Sequence, residues 1–194
     1  KPANADSESR RALEKVGSGI TEYLNIPYAS MSGVDPNLLS LDIYRPKPSS
    51  TNAQQTNKPV VVMIHGGGWR AGDKGSGSQG RQKASFFTGH GFVYASVNYR
   101  LSPEVQHPAH VEDVAKALAW IIDNIASYGG DPKRIFLMGH SAGAHLAALV
   151  TADEALLSKL GKSPVMLGGV MLLLNPPKEF ALPIFQWVSG ITLV

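Results

Sequence analysis

The chain has 194 residues, 43% of them hydrophobic and 17% charged, which suffices for one domain with a sizeable core. Its formal charge is +3 with Lys and Arg scattered through loops, a pattern that points to neither nucleic acid nor a membrane surface as partner. Cysteine is absent, which excludes disulfides, zinc thiolates and a thiolate nucleophile.

Residues 1–19 read as a polar leader with a short helix predicted from Ser7 to Val16 and no visible chemistry. The chain starts at Lys1 with no hydrophobic signal core. That leaves the compartment open: secreted or periplasmic after removal of a signal peptide, or cytoplasmic. Residues 20–194 read as a single domain. Thr21 to Ala29 and Leu39 to Tyr44 are expected strands, the second alternating apolar and polar residues as a half-buried strand should. Arg45 to Asn57 is too polar to pack and reads as a loop.

Val60 to Ile64 is an almost pure β-branched run, and it opens into His65-Gly66-Gly67-Gly68-Trp69. Three consecutive glycines after a buried strand let the backbone approach a ligand and present unpaired N–H groups. Gly72 to Gly80 continues as a flexible segment, read as one wall of an entrance. A helix is predicted over Gln82 to Gly89, a strand over Phe92 to Tyr99 and a Pro-containing loop over Leu101 to His110. The apolar spacing of Val111, Val114, Ala115, Leu118, Ile121, Ile122 and Ile125 predicts a helix to Ala126. Gly129-Gly130-Asp131-Pro132 ends it.

Ile135 to Met138 reads as a buried strand that breaks at Gly139, and a helix over Ala142 to Thr151 follows. Ser141 stands at the corner inside Gly139-His140-Ser141-Ala142-Gly143, the G-x-S-x-G pattern of a nucleophile elbow. A strand turning directly into a helix strains the serine backbone, so its neighbours must be nearly free of side chain. In return the hydroxyl is pushed out beyond the sheet. The pattern alone is weak; between a strand and a helix, and with the triple glycine in the same chain, it is specific. The N–H groups of Gly67, Gly68 and Ala142 are the candidate oxyanion donors, and Trp69 is a candidate wall of the acyl pocket or a lid on the core. A helical stretch over Ala155 to Leu160 and a strand over Val165 to Leu174 complete an alternation that implies a mainly parallel sheet covered on both faces. Ligands of such sheets sit at the carboxyl ends of the strands.

His65 to Lys74, Asn98-Tyr-Arg-Leu-Ser-Pro103 and Gly139 to Ala147 together resemble the α/β-hydrolase esterase/lipase superfamily. The likeness is to the hormone-sensitive-lipase-like carboxylesterases and to the acetyl-xylan/feruloyl esterase and kynurenine-formamidase types, over about residues 41–174. It implies an α/β-hydrolase sheet, incomplete at its C-terminal end, and a serine esterase acting on small carboxylic esters without metal or cofactor. The alternative reading is a hydrolase-fold binding or assembly protein with no turnover, and amide hydrolysis is a third.

The resemblance also implies that Asp or Glu and then His should follow the serine. No histidine follows His145, which lies on the elbow helix and is expected to pack along it. Among the others, His65 reads as structural, His140 as packed and His90 as a surface residue. His107 and His110 are the best substitutes for a base. Asp73 could orient one of them, and Asp113 reads as a favourable charge near a helix start. The segment 175–194 is apolar and unlike the family's continuation, so it needs a surface to cover. Three readings stand side by side: a truncated chain, a compact esterase with a recruited base, or association with a second copy.

Overall fold

The computed structural model describes residues 15–17, 19–47, 57–76 and 78–173. Most of the polar leader, most of the 45–57 loop and the apolar 175–194 tail lie outside the described residues.

Among the described residues seven strands form one sheet: β1 (Lys15–Gly17), β2 (Ile20–Pro27), β3 (Ser40–Pro46), β4 (Lys58–Ile64), β5 (Val93–Val97), β6 (Gly130–His140) and β7 (Leu167–Leu173), in the order β1-β2-β3-β5-β4-β6-β7. The first four in that order pair antiparallel, and β5, β4, β6 and β7 are parallel. The sheet is therefore mixed, with its parallel half carrying both glycine motifs. Lys15–Gly17 pairs with β2 as an edge strand, so Lys15 and Val16 are not helical; the rest of the helix expected from Ser7 lies outside the described residues. Local propensity loses there to the hydrogen bonds a neighbouring strand offers.

Among the described residues four α-helices cover the sheet: α1 (Lys83–Gly89), α2 (Ala109–Asn124), α3 (Ala142–Ala152) and α4 (Glu154–Ser158). Side chains alternate across a strand, and β4 shows the consequence. Val60, Val62 and Ile64 join one core with Val111, Val114, Leu118, Ile121, Leu146 and Val150 of α2 and α3. Val61 and Met63 join the opposite core with Tyr44, Tyr94 and Ala84 of α1. A strand buried on both faces has no room for polar residues, which is why this one reads as a continuous apolar run. Fully burying each such side chain is worth about 1.5–3 kcal/mol.

β4 and β6 are neighbours, and Ile64 pairs with Gly139 in the parallel register. The two strands end level with each other, so the loops that leave them emerge side by side. At the far side of β6, β7 leaves Val170, Met171 and Leu172 exposed.

Candidate active site

Ser141 occupies the corner between β6 and α3 with φ 51° and ψ −118°, a left-handed conformation costing a non-glycine residue about 1–3 kcal/mol. The surroundings hold it there. Its N–H donates to Leu173 O at 2.9 Å, and its carbonyl accepts from the N–H groups of Ala144 (2.9 Å) and His145 (3.1 Å) in the first turn of α3. Ala142 is the first residue of that helix, where an amide has no partner within the helix.

The loop after β4 is a tight turn: the N–H groups of Arg70 and Ala71 both donate to Gly67 O at 3.1 Å. Gly67, Gly68 and Trp69 are all left-handed (φ 119°, 61° and 60°), which only the two glycines adopt without cost. The Trp69 carbonyl accepts from the Ser102 N–H at 2.8 Å, tying the glycine loop to the loop after β5. His65, buried beneath, stacks on Tyr99 with ring centroids 4.4 Å apart. Its Nδ1 donates to Gly66 O at 2.8 Å, because a carbonyl can only accept. Burial lowers the His65 pKa, outweighing the bond to Gly66 and the charge of Asp73. The ring is neutral and holds the loop from below.

A cleft of about 460 Å³ opens beside this turn, lined by Gly68, Trp69, Arg70, Ser102, Pro103, Gln106, His107, His110, His145 and Leu146. Ser141 is not among the lining residues, so the cleft flanks the serine rather than covering it. Trp69 forms one wall, edge-on to His145 at 5.4 Å. His145, expected to pack along its own helix, is instead exposed and lines this cleft, in edge contact with the Trp69 indole. His110 is buried, and its Nε2 lies 3.1 Å from Ser102 Oγ. That hydroxyl spends its proton on Val105 O at 2.8 Å, so His110 Nε2 is the donor between them. Burial lowers the pKa of His110 as well. His90 is exposed and its Nδ1 lies 2.7 Å from Phe86 O, and His140 is half-buried beside Gly66. No hydrogen bond joins a histidine to Ser141 Oγ among the described residues.

Two further expectations differ from the structure. Asp113 is not a helix-end charge; it is fully buried and grips Arg100 through Nε (2.6 Å), Nη2 (2.8 Å) and the backbone N–H (3.2 Å). A buried carboxylate needs such partners, and the arginine that follows β5 supplies them. The described residues of the Gly72 to Gly80 segment do not line the cleft. Lys74 is buried: its Nζ donates to Asn25 (2.9 Å) and Asn37 (2.6 Å) and lies 3.7 Å from Asp42. Asp73 accepts from Asn98 (2.8 Å), Asn37 (3.0 Å) and the Gly75 N–H (2.8 Å), so it orients no histidine. Sequence reasoning assigned no role to Lys74, Asn98 or Arg100. The signal available was a lysine and an arginine each placed directly at the edge of a glycine- or proline-rich loop.

Among the described residues no cluster of three or more His, Cys, Asp or Glu is placed to hold a metal ion, and no helix is long and apolar enough to cross a membrane.

This arrangement of sheet, elbow and glycine loop is that of an esterase-type α/β-hydrolase. The structure of Esterase B from Lactobacillus rhamnosis is similar with a TM-score of 0.62 and 28% identity, over 86% of this chain and 50% of that one. In sequence, the chain is 42% identical over 125 residues to the esterase LipQ of Mycobacterium tuberculosis, covering 64% of this chain and 28% of that protein. It is 38% identical over 124 residues to the isoprenylcysteine alpha-carbonyl methylesterase ICME of Arabidopsis thaliana, covering 63% of this chain and 27% of that protein. The chain belongs to the BD-FAE family, whose model matches residues 41–162. It spans half the length of the Esterase B chain and less than a third of either sequence relative.

Proposed function

We propose that the protein is a serine carboxylesterase acting on small carboxylic esters. The observation that carries this reading is the contact between the two loops: a Cβ placed on Gly66 would stand 3.2 Å from Ser141 Cβ. That closeness supports a reading in which the serine shares its site with the glycine loop and the amides of Gly67, Gly68 and Ala142 serve as oxyanion donors. In the first step Ser141 Oγ bonds to the ester carbonyl carbon and gives up its proton, while those three N–H groups receive the negative carbonyl oxygen. The C–O bond to the alcohol then breaks, and the alcohol leaves with a proton. Water attacks the resulting acyl-serine, releasing the carboxylic acid and restoring the hydroxyl. Each oxyanion donor is worth about 2.7–4 kcal/mol of transition-state stabilisation.

A serine hydroxyl is a weak nucleophile until a base takes its proton, and nucleophile and base act as a unit. With no base hydrogen-bonded to Ser141 among the described residues, turnover by this chain is expected to be slow. The same observation favours the second reading, a hydrolase-fold binding protein without turnover. The test is hydrolysis of p-nitrophenyl butyrate together with labelling by a fluorophosphonate, in wild type and Ser141→Ala. Loss of both in the variant supports the esterase. An unchanged rate removes Ser141 from the chemistry, and a folded wild type that neither hydrolyses nor labels supports the binding protein.

A further inference from the structure

The geometry points to the cleft beside the glycine loop as a binding site for a carboxylate carried on the ester substrate, so that the preferred substrates are monoesters bearing a free acid group. This rests on the esterase reading for its substrate, but not for the binding itself.

Every ionisable side chain lining the cleft is basic: Arg70, His107, His110 and His145, with no Asp or Glu. Arg70 is the informative one. Arg81, Arg100 and Arg134 are each paired with a carboxylate of the protein and Arg45 lies over the Tyr23 ring, whereas Arg70 makes neither kind of contact among the described residues. No described acid stands within ion-pair distance of it. Asp113, behind His110, is satisfied by Arg100 and lies 3.6 Å from Lys116; Glu104 and Glu112, on neighbouring turns, are exposed and outside the lining. His110 already gives its Nε2 proton to Ser102, which leaves Arg70, the exposed His107 and His145, and Gln106 as the open donors. A guanidinium without a partner offers a planar pair of donors that matches a carboxylate.

The position fits a substrate rather than a free anion. Arg70 shares one turn with Gly68, closed by Arg70 N–H to Gly67 O, so the guanidinium springs from the loop that also presents the candidate oxyanion amides. Trp69, Pro103 and Leu146 give the cleft an apolar wall between those polar groups, suited to a short methylene chain.

The experiment measures binding by ligand-observed NMR to the Ser141→Ala chain, which needs no turnover. Monomethyl glutarate is compared with methyl pentanoate, placing the carboxylate on the acyl side; γ-acetoxybutanoate is compared with butyl acetate, placing it on the alcohol side. At least one acid binds roughly tenfold or more tightly than its neutral analogue, and the pair that shows the preference identifies the half of the ester that enters the cleft. Arg70→Gln in the same background removes the preference. Arg134→Gln, which deletes an arginine at the start of β6, leaves it intact. Absence of a preference in both pairs, its survival in Arg70→Gln, or its equal loss in Arg134→Gln overturns the proposal. If wild type hydrolyses none of the four esters while the preference persists, the esterase reading fails and the carboxylate site stands.

Discussion

Gly66 lies against the elbow so closely that a methyl group on it would stand 2.8 Å from His140 O, 2.9 Å from His140 Nδ1 and 3.2 Å from Ser141 Cβ. The glycine run therefore does two things: Gly67 and Gly68 turn the chain, while Gly66 sets the spacing between the loop and the serine.

Gly66→Ala forces the two loops apart by a few tenths of an ångström. Part of the strain falls on a carbonyl oxygen that no rotamer can move. The expected cost in stability is about 1–3 kcal/mol. The geometry at Ser141 is the more sensitive quantity, because small displacements of a reacting group carry large rate penalties. Fluorophosphonate labelling and p-nitrophenyl butyrate hydrolysis are expected to fall by roughly tenfold or more. A variant that labels at the wild-type rate would show that the spacing is not what sets the serine's reactivity.

Gly143 meets backbone on the other side. A Cβ there would lie 2.2 Å from Ile64 O and 2.5 Å from His65 O, so α3 can dock on the end of β4 only without one. Gly143→Ala is expected to lose more than about 3 kcal/mol in urea denaturation, with a lower midpoint and an unchanged slope. Gly168→Ala is the contrast. Its nearest atoms are Phe136 ring carbons at 3.1 and 3.2 Å, which can swing away, and its loss is expected to be small. Equal losses in the two variants would mean that backbone contact is not the cause.

The parts of this fold legible in the sequence are those whose physical cause is local. β4 announces itself because both of its faces are buried, and α2 because Val111, Val114, Ala115, Leu118 and Ile121 recur on one face and are all buried. Ser141 is legible because the backbone strain at an elbow restricts its neighbours to small residues. Long-range polar pairs leave no such trace. Lys74 draws its partners from Asn25, Asn37 and Asp42, and nothing in the spacing of those residues distinguishes them from exposed loop residues. Asp113 sits beside apolar positions of α2, where helix periodicity alone cannot tell a buried acid from an exposed one. The direction in which β3 pairs with β5 leaves no local trace either, because tertiary packing decides it.

Asp113 and Arg100 fix the loop that forms one side of the cleft. Asp113→Ala leaves a largely buried guanidinium without its partner, and Asp113→Asn keeps the shape but removes the charge. The alanine variant is expected to lose about 3 kcal/mol, the low end for a broken buried pair, because Arg100 keeps 12% of its side-chain surface in solvent. The asparagine variant should lose less, retaining one acceptor for Arg100. Thermal denaturation of both checks the order. Equal melting temperatures for wild type and Asp113→Ala would mean that the pair contributes nothing net to stability.

Asp73 gives the fold a dependence on acid pH whose sign can be worked out. Burial pushes its pKa up, but hydrogen bonds from Asn98, Gly75 and Asn37 and the charge of Lys74 outweigh it, and the net shift is downward from 3.8. The folded state therefore holds this proton less tightly than the unfolded chain. Its contribution is fully present above pH 3.8 and is lost as pH falls through the lower folded value. Asp42 acts in the opposite sense: burial raises its pKa above 3.8 despite the Asn25 N–H and Lys74, so protonation of that group on acidification favours the fold. Asp73→Asn removes the first effect and leaves the second. The amide offers only one acceptor oxygen where the carboxylate used two, so at least one of the three donors goes unmet. The variant is expected to be less stable at neutral pH by about 1 kcal/mol or more. Urea denaturation at a series of pH values between about 6 and 3 should then show a shallower loss of stability on acidification than wild type. A variant with the wild-type pH profile, displaced downward by a constant amount, would show that Asp73 is not the titrating group.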